Sequence, residues 1–306
     1  MKLKPIDFLK GKPYYRTSFG KAYLGDTLEL IKEIPDNSIN LIITSPPYGL
    51  RKKKEYGNAD PEEYVKWFMP FAEQFYRILK PNGSFVLNIG GGWEKGKPVR
   101  SLYQFELLIA LCKKFNLAEE FIWNKPAALP TPAEWVTIRR IRVKDSIEYI
   151  WWLSKTPYPK ADNRNVLQPY SDSMKSLLEK GYNAKVRPSG HKISDKFKTD
   201  NKGSIPPNFL SISNTESNSH YLRMCKQYGV KVHPARFPKK LPDFFVKFLT
   251  DRGDIVFDPF AGSNVTGESA ESLQRRWIAF ELVEEYLRGS KFRFELSHKK
   301  LDSFRL

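Results

Sequence analysis

The chain has 306 residues, with 51 Lys and Arg against 34 Asp and Glu, a formal charge of +17, and 41% hydrophobic and 14% aromatic residues. Such a composition excludes a disordered chain, and no run approaches the roughly 18 apolar residues that a membrane span needs. The opening stretch "MKLKPIDFLKGKPYY" lacks the uninterrupted apolar core of a signal peptide, so a cytoplasmic protein with no membrane partner is expected.

In chain order, "INLIIT" (39–44) is a continuous β-branched run that suits a strand covered on both faces. It stops at Ser45-Pro46-Pro47-Tyr48. With 22 prolines in the chain, adjacent pairs arise by chance, and Pro206-Pro207 is another, so only context gives the corner meaning. Over 62–80, Val65, Phe68, Ala72, Phe75 and Leu79 recur at helical spacing, with Pro70 inside and "PNG" as the stop. A second strand, "GSFVLNIG" (83–90), follows. Trp151 and Trp152 alternate along a further strand, one expected in the core and the other beside a ligand pocket.

Residues 156–232 change character, being rich in Pro, Asn, Ser, Lys and Gly, with one short helical candidate at 171–181. Residues 155–240 hold 17 Lys and Arg against 6 Asp and Glu, a basic surplus that suggests a polyanionic partner. A second helix, "LPDFFVKFLTD" (241–251), precedes a strand, "DIVFD" (254–258), whose loop "PFAGSNVTG" should lead into a helix. Strand and helix alternate as in an open, mostly parallel, doubly wound α/β sheet. Cys112 and Cys225 form no Cys-x-x-Cys pair and the histidines show no metal spacing, so two buried thiols and no metal are expected.

The chemistry lies in two loops. Glu281 ends the next strand, 23 residues past Asp258, where an acid can accept hydrogen bonds from a ribose diol. The loop is poorer in glycine than a pyrophosphate cradle and offers Phe260 as an apolar wall, which fits S-adenosylmethionine. Two parallel strands would set both loops at one carboxyl edge, the ligand edge of such folds. The Ser45 hydroxyl and Pro46 carbonyl can accept from an exocyclic amine and aim its lone pair. Prolines remove N–H donors from the turn, and Tyr48 offers a face for a base flipped out of a duplex. Ser45 is too weak an acid to be a committed base; it aligns the amine, and water takes the proton.

"TSPPYGL" and "DPFAGSNVTG", in that order, resemble the β group of amino-methylating DNA methyltransferases, whose motif order is circularly permuted. "RKKKEYGN" (51–58), "IRVKDS" (141–146), "WWLSKT" (151–156), "RPSGH" (187–191), "GSIPPN" (203–208) and "HPARFP" (233–238) extend the resemblance to its cytosine-N4-specific members over nearly the whole chain. The resemblance implies a Rossmann-like methyltransferase sheet with a catalytic half at 1–155, a target-recognition region at 156–232 and a cofactor half at 233–306. It makes Ser45, Pro46, Pro47 and Tyr48 catalytic. It assigns Asp258, Phe260, Gly262, Ser263 and Glu281 to the cofactor, with Gly25 and Asp26 near its adenine and Pro234 and Arg236 near its methionine end. Asn88 is a departure, an amide where the resemblance calls for an acid.

Double-stranded DNA is the implied partner, contacted by Arg187, His191 and Lys192 of the recognition region. Arg51, Lys52 and Lys53 either close over the flipped nucleotide or form a solvated basic loop. "RPSGH" and "GSIPPN" hint at the site CAGCTG. The implied role is that of a monomer guarding DNA against a paired restriction endonuclease. N6-adenine methylation, RNA methylation and an inactive DNA-binding protein are the alternatives.

Overall fold

A computed structural model of the chain describes residues 6–50, 59–180, 199–214 and 219–294. Its strands are β1 (Tyr15–Arg16), β2 (Gly20–Leu24), β3 (Ile39–Thr44), β4 (Leu79–Ile89), β5 (Gly92–Trp93), β6 (Arg100–Ser101), β7 (Asn116–Asn124), β8 (Ile147–Ser154), β9 (Phe209–Ser211), β10 (Ile255–Asp258) and β11 (Arg276–Glu281). The α-helices are α1 (Thr27–Leu30), α2 (Tyr64–Ile78), α3 (Tyr103–Leu111), α4 (Asp172–Lys180), α5 (His220–Gln227), α6 (Lys240–Leu249), α7 (Val265–Ser272) and α8 (Glu284–Ser290).

Nine strands form one sheet in the order β1-β2-β11-β10-β3-β4-β8-β7-β9. Its centre, β2-β11-β10-β3-β4, is parallel, while β8 pairs antiparallel with both β4 and β7. This is the open, mostly parallel, doubly wound sheet that strand–helix alternation predicted. Every residue of β3 and of β10 is buried, which explains their unbroken apolar runs. Along β3, Ile42 faces one layer with Phe85, Phe257 and α2's Phe68 and Phe75. Its neighbours Leu41 and Ile43 face the opposite layer with Val256, Trp277 and α6's Phe245.

Helix α2 ends at Ile78, short of the predicted 80, because Leu79 already turns extended and opens β4. "PNG" lies inside the strand, where the β3–β4 register shifts between Ile39 and Leu41. Pro70 is exposed on α2, on the side where water can satisfy the carbonyl it leaves without a donor.

Two compact units emerge, residues 162–207 and the remainder of the chain. Residues 208–232, read from the sequence as part of the appended segment, lie in the larger unit. There β9 extends the main sheet beside β7, and α5 buries Tyr221, Met224 and Cys225 against Phe292. Both tryptophans of β8 are buried, Trp152 donating its indole N–H to Ser84 Oγ at 2.8 Å, and neither lines the pocket. Cys225 is buried as expected, but Cys112, at the C-terminus of α3, is exposed. No helix of the described residues is long and apolar enough to cross a membrane.

Candidate active site

Strands β3 and β10 are parallel neighbours, with Val256 opposite Leu41 and Phe257 opposite Ile42. Their C-terminal ends therefore emerge side by side. The two loops are joined by a buried clasp: Thr44 Oγ1 donates to Asp258 Oδ1 at 2.6 Å and Thr266 Oγ1 to Asp258 Oδ2 at 2.6 Å. The Phe260 amide adds a third donor to Oδ1 at 3.1 Å. Burial pushes the Asp258 carboxyl up to about 6, even though all three donors favour its charged form. Asp258 thus organises the loops, its oxygens occupied by protein donors.

Between the loops lies a cavity of about 660 Å³, the size of a small-molecule site. Ser45, Pro46, Pro47 and Tyr48 line one part, and Asp258, Phe260, Gly262, Ser263 and Glu281 another. Asp26, Pro234 and Arg236 also line it. Gly25 does not; it shapes the turn after β2, at φ +152° and with its N–H on the Glu281 carbonyl. Arg51, Lys52, Lys53, Arg187, His191 and Lys192 lie outside the described residues.

Local chemistry fixes each wall. Gly262 sits in the left-handed region at φ +52°, and a Cβ there would come within 3.0 Å of His233 Nε2. Burial drives that imidazole down to about 4, so the ring is neutral at physiological pH. Glu281 is clamped by the Gly262 amide at 2.7 Å and the Val283 amide at 2.9 Å; burial raises its carboxyl, which retains lone pairs for a ligand. Phe260 packs on Phe71 and Trp67, ring centres 5.0 and 6.0 Å away, to form the apolar wall. Arg236 crosses beneath Tyr221, and its Nε is buried without a hydrogen-bond partner among the described residues.

The Ser-Pro-Pro-Tyr corner is held from behind, Tyr64 donating to the Pro47 carbonyl at 2.8 Å. The Tyr48 ring lies on Gly90, where a Cβ would meet Tyr48 Cε2 at 2.5 Å. We expect Gly90→Ala to fold but lose about 100-fold in turnover by displacing that ring; thermal melting together with single-turnover assays checks this.

Sequence reasoning missed Glu148, Lys125 and Trp123, all of which line the cavity. Glu148 enters from β8, where Asn88 pairs with Ile150, so Glu148 is the diagonal neighbour of Asn88 on the same face. Its Oε2 accepts from Tyr48 Oη at 2.7 Å and Asn88 Nδ2 at 2.8 Å, and its Oε1 from Lys125 Nζ at 2.7 Å. A carboxylate from the adjoining strand thus stands beside the Asn88 amide. Burial, then the charge of Glu148, holds the Tyr48 phenol well above its ordinary value, so it stays protonated. Among the described residues, no cluster of three His, Cys, Asp or Glu could hold a metal.

The chain is 54% identical over 288 residues to the type II methyltransferase M.PvuII of Proteus hauseri, covering 92% of this chain and 86% of that one. It is 28% identical to M.ScaI of Streptomyces caespitosus, over 98% and 89% of the two chains. The solved PvuII DNA methyltransferase (cytosine-N4-specific) superposes with a TM-score of 0.78 at 45% identity, covering 96% of this chain and 94% of that one. A family model for N6/N4 methyltransferases, described as DNA methylase, matches residues 39–292, a span that contains both loops and Glu148. This chain belongs to that DNA methylase family.

Proposed function

We propose that the protein transfers a methyl group from S-adenosylmethionine to the exocyclic N4 amine of a cytosine flipped out of a short duplex site. The observation that carries the reading is the single cavity spanning the Ser45–Tyr48 corner and the Phe260–Ser263 loop, joined through Thr44 and Asp258. The cavity residues suit that cofactor: Glu281 offers acceptors to ribose hydroxyls, Phe260, Phe71 and Trp67 an apolar wall, and Arg236 a buried N–H with no acceptor among the described residues. When bound, S-adenosylmethionine supplies an electrophilic methyl group on a sulfonium.

The protein's task is to bind, orient and dehydrate the amine. Ser45 Oγ and the Pro46 carbonyl accept its N–H bonds and turn its lone pair toward the Phe260 side of the cavity. Flipping costs a few kcal/mol, and stacking of the base on Tyr48 returns roughly 1–3 kcal/mol of that. We read the irregular segment around 162–207 as the target reader, acting on duplex DNA as a monomer and protecting it from a paired endonuclease. The similarity to M.PvuII makes CAGCTG the first site to test.

The test is product analysis. DNA methylated by the protein and digested to nucleosides is expected to yield N4-methylcytosine, within CAGCTG when mapped. N6-methyladenine as the sole product would overturn the base assignment in favour of adenine chemistry on the same scaffold.

A further inference from the structure

An amine that receives a methyl group must shed a proton, and Ser45 cannot keep one. Behind Ser45 the hydrogen bonds run in one direction. Ser45 Oγ donates to Tyr48 Oη at 3.1 Å, and Tyr48 Oη donates to Glu148 Oε2 at 2.7 Å. Asn88 Nδ2 reinforces the line, donating to Tyr48 Oη at 2.7 Å and Glu148 Oε2 at 2.8 Å. The orientation of that amide is dictated by its neighbour, since the reverse flip would press Asn88 Oδ1 against a carboxylate. Lys125 Nζ, on Oε1 at 2.7 Å, keeps a charged carboxylate affordable in a site where the Glu148 side chain is only 14% exposed.

From this geometry we infer that Glu148 is the terminal proton acceptor of methyl transfer, reached from the target amine through the Ser45 and Tyr48 hydroxyls. The inference rests on the reading that an exocyclic amine is the methyl acceptor. As the amine's lone pair forms the new N–C bond, the bond to sulfur breaks and its electron pair stays on sulfur. The nitrogen, now positive, gives its proton to Ser45 Oγ and recovers the N–H pair as its lone pair. The Ser45 proton passes to Tyr48 Oη and the Tyr48 proton to Glu148 Oε2. Both hydroxyls end as they began, so the phenol, which resists deprotonation, never has to persist as an anion. The acid produced then exchanges with water at the mouth of the cavity.

Nothing local in the sequence marks this role, for Glu148 stands 100 positions beyond Tyr48. Tyr103, from α3, is a further titratable group beside this cluster, and burial raises its phenol so that it stays neutral. It donates to the Gly90 carbonyl and is not part of the line.

The deciding experiment uses the full-length protein and a duplex that the wild type methylates. Single-turnover rates are measured for Glu148→Gln and Glu148→Ala, the latter with and without added sodium formate as a surrogate carboxylate. Base flipping is followed separately with a duplex carrying 2-aminopurine at the target position. We expect both variants to flip the base as the wild type does and to methylate about 100-fold more slowly, with formate restoring Glu148→Ala at least tenfold. Tyr48→Phe, which cuts the line, should be equally slow and deaf to formate. A Glu148→Gln rate within threefold of wild type, or a formate-insensitive Glu148→Ala, would overturn the role, as would loss of the 2-aminopurine signal, which marks a merely structural residue. A wild type that methylates no duplex overturns the underlying reading itself.

Discussion

Ser45→Ala is expected to slow single-turnover methyl transfer by about 100-fold or more, a magnitude typical of a misaligned reacting group, while leaving cofactor affinity within twofold. The hydroxyl sits on the cavity side of the corner, 3.1 Å from Tyr48 Oη and 3.4 Å from Asn88 Nδ2. Its removal takes away the acceptor that orients the amine and the first step of the path to Glu148. It touches none of the groups expected to hold the cofactor, because Glu281 is fixed by Gly262 and Val283, and Phe260 by Trp67 and Phe71. Calorimetric titration with S-adenosylmethionine, set beside the rates, separates the two effects. Undiminished turnover in this variant would remove Ser45 from the chemistry.

A second large effect lies in the clasp. The native Asp258 carboxyl titrates near 6, against an ordinary value of 3.8. Between those values the folded protein holds a proton that the unfolded chain has released. Its contribution is therefore most favourable below about pH 4 and is lost as the pH rises through 6. The change amounts to at most about 3 kcal/mol across that window. Asp258→Asn carries no such charge, and its amide can still accept from Thr44 while Thr266, a hydroxyl, turns to accept from the amide. The variant should accordingly gain stability relative to the wild type on going from pH 4 to pH 7. Urea denaturation of both proteins at the two pH values measures the difference, in which acids held low elsewhere, such as Asp145 beside Arg100, cancel. A difference that does not change with pH would mean that water reaches the carboxyl and that the clasp is wet.

The two predictions test opposite sides of one boundary. Ser45 is expected to matter for turnover and little for stability, whereas Asp258 matters first for how the strand ends are joined. We expect Asp258 to serve the cofactor site indirectly. Its own oxygens face Thr44, Thr266 and the Phe260 amide, and the groups left for a ligand are those of Glu281, Arg236 and the aromatic wall.

Local order was legible wherever neighbours in sequence decide the outcome. The unbroken run 39–44 is a buried strand with those bounds. The helices near 171–181 and 241–251 lie at 172–180 and 240–249, and the glycine-bearing loop after Asp258 leads into α7, capped by Asn264. The motifs identified both loops because a diproline turn and a left-handed glycine impose their geometry through their own backbone. Tertiary structure decided the rest. That β3 and β10 are neighbours depends on pairing between segments more than 200 positions apart, and no local propensity encodes such a choice. The same holds for the carboxylate. Asn88 looked like a missing acid because its own strand offers none, yet antiparallel pairing with β8 lays Glu148 diagonally beside it. Sequence alone determined what the two loops are made of; only the packed sheet decided which side chains stand behind them, because sheet partners are chosen by burial and register across the whole fold.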